Sequence, residues 1–125
     1  MSEMKRPNNK EYLAGVIVAN SFHVLYFLVI SFIYPDSSML SPLFYDIGYF
    51  IIPIGVIIAA YFVSGRATQD YILVGGITGV LSFITHFIIF LTLFSWPRML
   101  NNIPHNFSLF VVFIVSGNIG GALRK

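Results

Sequence analysis

The chain has 125 residues, a length that favours one domain. Hydrophobic residues make up 57% and charged residues only 10%, against roughly 25% charged in soluble globular proteins, so an ordinary soluble domain is excluded for want of charge to cover its surface. The absence of cysteine removes disulfides, iron–sulfur ligation and thiol chemistry, and a net charge of +2 on few, scattered basic residues offers no surface for nucleic acid.

A membrane-spanning helix needs about 20 mostly apolar residues, and four segments qualify. The short segment 1–11 carries Lys5, Arg6 and Lys10. The first helix is predicted over about 12–34. Its apolar run is longer than a signal-peptide core and no A-x-A-like site follows, so it is expected to be retained. Asn20 and His23 lie on it three residues apart, on one face.

Pro35-Asp36-Ser37-Ser38 and Pro42 break the chain before a second helix over about 43–63. Asp46 falls in its first turn, where the helix dipole favours an acid. Pro53 interrupts it, removing one donor and disfavouring the bond to the carbonyl of Tyr49. The stretch from Ser64-Gly65-Arg66 to Asp70 leads to a third helix over about 71–94. This helix holds Gly75 and Gly79 in a G-x-x-x-G, then Thr85 and His86. Pro97-Arg98 to Pro104-His105 leads to a fourth helix over about 107–123, with Asn118 and a second G-x-x-x-G from Gly117 to Gly121. Residues 1–125 therefore read as a single all-α membrane domain, a bundle of four transmembrane helices. The glycines permit close helix packing, within the bundle or against a second copy.

Cytoplasmic loops carry the excess of Lys and Arg. In a four-span topology Lys5, Arg6, Lys10, Arg66, Arg124 and Lys125 fall on one side and Arg98 on the other. Both termini are therefore expected on the cytoplasmic side of the cell membrane. The interfacial aromatics agree: Tyr12, Tyr61 and Tyr71 land at inner ends, and Tyr34, Tyr45 and Trp96 at outer ends.

The first and third helices look related. His23 with Phe27-Leu28 and His86 with Phe90-Leu91 share a spacing. Stepping back by fours gives Gly15, Ala19, His23 on one helix and Thr78, Ser82, His86 on the other. Such matches suggest a duplicated helical hairpin, the parallel repeat of some transporters. Each histidine lies eleven or twelve residues inside its outer proline, roughly 17 Å at 1.5 Å per residue and so near the bilayer midplane. Two histidines at one depth suit bis-histidine haem, proton passage, or a purely structural bond. Two ligands alone make a poor metal site, and none beyond haem is expected.

The run Tyr61-Phe62-Val63-Ser64-Gly65-Arg66 before a glycine-rich helix, and the ending Gly117-Asn118-Ile119-Gly120-Gly121, resemble small prokaryotic four-helix, glycine-rich membrane proteins of unassigned function. The resemblance spans about the last two thirds of the chain and implies nothing about activity. Small multidrug exporters carry an acid within their first helix, and Tyr12 to Tyr34 holds none. No loop carries a nucleophile–base set, so an enzyme is not expected. Three functions remain. The first is a non-catalytic small subunit of a membrane complex, or a homo-oligomer, whose partners are the lipid bilayer and other membrane subunits or itself. The second is a small transporter, channel or proton-handling protein using His23 and His86, with Asn20 in the same site. The third is a haem-binding electron-transfer subunit with His23 and His86 as ligands.

Overall fold

The computed structural model describes residues 4–33, 42–93 and 103–124, with side chains at all of these except 42–46, 90, 93 and 103–105. Among the described residues there are four helices and no strand: α1 (Asn9–Ile33), α2 (Pro42–Ser64), α3 (Tyr71–Leu93) and α4 (Ile103–Arg124). Each contains a stretch long and apolar enough to cross a membrane. Tyr34, Pro35, Trp96, Pro97, Arg98 and Lys125 lie outside the described residues, and so do the side chains of Tyr45, Asp46, Pro104 and His105.

Two helices start earlier than hydropathy suggests, because a helix begins at its cap and not at its first apolar residue. At α1 the backbone N–H of Glu11 donates to Asn8 Oδ1 at 2.9 Å. The N–H of Asn8 donates to Glu11 Oε1 at 3.1 Å. This reciprocal pair is a capping box, and it satisfies donors that the first turn leaves without partners. α4 starts at Ile103, which puts Pro104 in its first turn. Proline is tolerated there because the missing N–H would have had no intrahelical acceptor. α2 likewise starts on Pro42, and it continues through Pro53. The prolines that read as breakers thus begin helices as well as end connections.

α2 lies against all three other helices, while α1 packs on α2 and α3, and α4 on α3 and α2. Ala19, Ile52, Val56, Ala59, Leu109 and Phe113 form one apolar cluster, with Phe83 against it. Val63, Ala67 and Val74 form a second, with Tyr12 and Tyr71. The α3–α4 contact is made by glycine. A methyl at Gly75 would overlap the carbonyl oxygen of Gly117, and one at Gly117 would overlap that of Gly75. Methyls at Gly79 and Gly121 would overlap the carbonyls of Phe113 and Tyr71. Both G-x-x-x-G motifs are therefore buried inside the chain, on each other's helix.

One end of the bundle gathers the basic residues among those described. The N–H of Lys5 donates to Thr68 Oγ1 at 3.0 Å, and the N–H of Thr68 donates to the Lys5 carbonyl at 3.1 Å, which docks the N-terminal segment on the α2–α3 connection. Arg66 pairs with Glu11 at 3.2 Å. Arg124 lies over the ring of Tyr61, 4.8 Å from its centroid.

The seam makes a comparison available between two glycines of α3 and α4. Gly117→Ala must push the backbone of α3 away and is expected to destabilise the protein by about 1–3 kcal/mol, the range for overpacking. Gly76→Ala meets the far end of the Asn118 side chain, which can swing aside, so its loss is expected to be smaller. Thermal unfolding in detergent followed by circular dichroism compares the two; equal losses would show that the seam is not under backbone contact.

Candidate functional site

Helix positions four apart share a face. Thr78, Ser82 and His86 follow that spacing along α3, and all three are buried. Asn20 and His23 are buried on α1. The two helices run in the same direction and their polar faces meet. Nδ1 of His86 and Nε2 of His23 lie 2.7 Å apart and share a hydrogen bond. Their ring centroids are 4.7 Å apart, at 59°. His23 is 0% and His86 3% exposed. Phe113 of α4 closes the site, its ring centroid 5.2 Å from that of His86.

Asn20 ties the site to both helices. Its Nδ2 donates to the carbonyl of Val16 at 3.0 Å and to that of Ser82, on α3, at 3.3 Å. Thr78 Oγ1 donates to the Val74 carbonyl one turn back, at 2.9 Å. Asn20 Oδ1 and Ser82 Oγ are buried and have no hydrogen-bond partner among the described residues. A buried polar atom left so costs about 1–3 kcal/mol. The site thus holds hydrogen-bonding capacity that its own side chains do not use, one turn or less from the histidines.

The structure brings together His23, His86 and Asn20 and leaves other sequence candidates elsewhere. Thr85 donates to the Leu81 carbonyl of its own helix at 3.0 Å. Asn118 lies beside Gly76. Gly75, Gly79, Gly117 and Gly121 belong to the α3–α4 seam. Sequence reasoning saw Thr78 and Ser82 as small residues of a repeat and missed them as polar walls; their fourfold spacing below His86 was the available signal. Phe113 gave no signal, because nothing in an apolar helix marks the ring that faces a histidine.

The packed pair does not fit a haem. Metal–imidazole bonds run about 2.0–2.1 Å, so a metal between two rings needs donor nitrogens roughly 4 Å apart. Here the facing nitrogens are 2.7 Å apart, and Phe113 fills the adjoining space. Among the described residues no three His, Cys, Asp or Glu side chains are grouped to hold a metal ion.

The chain belongs to the family described as "Protein of unknown function (DUF3792)", whose family model matches residues 6–123. No curated protein and no solved structure matches it.

The direct bond between the histidines sets a measurable coupling. His23→Leu or His86→Leu alone removes this bond from a ring that stays buried, an expected loss of about 1–3 kcal/mol. In the double variant the bond is lost only once, so its loss should fall short of the sum of the singles by roughly 0.5 kcal/mol or more. Thermal midpoints of all four proteins complete the cycle. Strict additivity would mean that the two rings do not bond.

Proposed function

We propose that this member of a family of unknown function is a small multi-pass protein of the cell membrane, with both termini cytoplasmic, that takes up and passes on protons at the His23–His86 pair. The bond between two fully enclosed histidines carries this reading. Ionisable groups within a membrane bundle are costly, and apolar residues would pack as well, so such a group is a functional candidate by default. Histidine exchanges protons near neutral pH, and each ring can accept at one nitrogen and release from the other. Asn20 Oδ1 and Ser82 Oγ supply acceptor capacity beside the pair. No step of covalent catalysis is involved. The four apolar helices and the basic residues gathered at one end support the membrane placement and its orientation.

A second reading has its own observation. α1 is the least buried of the spans, 22% against 33–44% for the others. Its outward face carries Leu13, Ile17, Leu25 and Phe32, all at least 60% exposed. A protein whose role is assembly would place that face against another membrane subunit. The glycine motifs no longer support self-association, since the fold consumes them.

Proteoliposomes loaded with a pH gradient separate the two. The protein is expected to speed collapse of the gradient, and His86→Leu to slow that collapse roughly tenfold or more, because loss of either ring breaks the exchange. Flux indifferent to both histidines would leave the assembly role. A Soret band in the purified protein, absent from the histidine variants, would instead assign haem and require α1 and α3 to part.

The absence of cysteine makes topology directly testable. Asn8→Cys and Gln69→Cys are expected to react with a membrane-impermeant maleimide only in inverted vesicles, and Ser38→Cys only in right-side-out cells. The reverse pattern would invert the orientation.

A further inference from the structure

A second feature lies at the basic end of the bundle, away from the histidines. α1 and α2 leave a cleft of about 200 Å³ between them there. Ala14, Val18, Ala59 and Phe62 wall it, and Glu11 and Arg66 stand at its mouth. Beneath, Gly15 closes on Val63, where a methyl would overlap the valine side chain. The walls are apolar and open outward, with Phe62 65% and Val18 38% exposed. The cleft is therefore lipid-like along its length and charged at one end.

We propose that this cleft binds one acyl chain of an anionic phospholipid, with the Arg66 guanidinium holding the phosphate. The inference rests on the membrane placement proposed above and not on proton exchange. Glu11 engages Arg66 through Nε, at 3.2 Å, and the arginine side chain remains 70% exposed. A guanidinium presents a fork of donors that matches phosphate geometry. An ion pair this exposed holds weakly, so a phosphate competes with Glu11 for the rest of the fork. Lys5, Arg6 and Lys10 lie at the same end and add attraction for anionic headgroups. The same charges disfavour a second copy of this chain, which would bring its own basic end to the contact.

The two members of the mouth allow a decisive comparison. Glu11→Gln and Arg66→Gln both break the same ion pair, but only the second removes the phosphate ligand. Native mass spectrometry of the full chain in detergent reads retained lipid directly, with phosphatidylglycerol and phosphatidylcholine of identical chains as probes. The protein is expected to retain phosphatidylglycerol about fivefold more than phosphatidylcholine. Arg66→Gln should abolish that preference, and Glu11→Gln should keep or raise it. Ala14→Phe, a change at an exposed wall, should fill the cleft and reduce retention of both lipids. Equal effects of the two mouth variants would trace the change to the lost ion pair and overturn the assignment. No preference for phosphatidylglycerol, or no effect of Ala14→Phe, would overturn it as well. The labelling of Asn8→Cys and Gln69→Cys tests the membrane placement separately.

Discussion

Lipid tails are as apolar as leucine, so apolar helices gain little by touching unless their backbones come close. In this chain glycines face carbonyls that any larger residue would strike, at four positions between α3 and α4, at Gly120 between α4 and α2, and at Gly55 between α2 and α1. The seam also sets the rotation of α3. Successive helix positions lie about 100° apart, since a turn takes 3.6 residues. With Gly75 and Gly79 turned onto α4, the ladder of Thr78, Ser82 and His86 lies roughly 40° further round the helix and borders that seam, with His86 beside Phe113 of α4 and bonded to His23 of α1. The polar site is thus a consequence of where the glycines are.

α1 meets α2 by the same device, with Gly55 against the Ala19 carbonyl and Gly15 against Val63. It reaches α3 through directional contacts strung along its length. Lys5, in the segment before α1, meets Thr68 in the connection before α3, Asn20 meets Ser82, and His23 meets His86. The sequence separations of these pairs are 63, 62 and 63, so the two helices stay in register throughout. The offset that aligns the two histidines in sequence is also the offset at which the helices touch. Hydrogen bonds of this kind, together with the glycine contacts to α2, determine which face of α1 is inward.

Much of this was legible in the sequence, because lipid as solvent makes simple demands. Four apolar runs of the right length left no other way to satisfy the backbone, and the basic residues other than Arg98 fell on one side of a four-span arrangement. Boundaries were less legible where chemistry overrode hydropathy: Asn8 and Glu11 extend α1 beyond its first apolar residue, and Pro104 opens α4 from inside what reads as a loop. His23 and His86 were visible as a pair at one depth, but not their contact, since the sequence does not show how α3 is rotated. Ser82 looked like a spacer until its burial left its hydroxyl without a partner among the described residues. The α1–α2 cleft left no mark at all, because Ala14 and Ala59 are ordinary residues in a membrane helix.

The pair's chemistry bears on why such a bond would be kept at the bundle core. Packing of α2, α3 and α4 is provided by the glycine seam and the apolar cluster around Phe113, so the histidines are not needed to close the bundle. Their bond joins α3 to α1, the helix with the fewest buried residues. In a neutral pair one ring donates and the other accepts. With both rings protonated every ring nitrogen is a donor, and a 2.7 Å contact between two donors has no acceptor and brings like charges together. The proton count at this site therefore determines whether α1 and α3 attract or repel at their middle. A bond with that property is poorly suited to passive reinforcement and well suited to a site where protons arrive and leave.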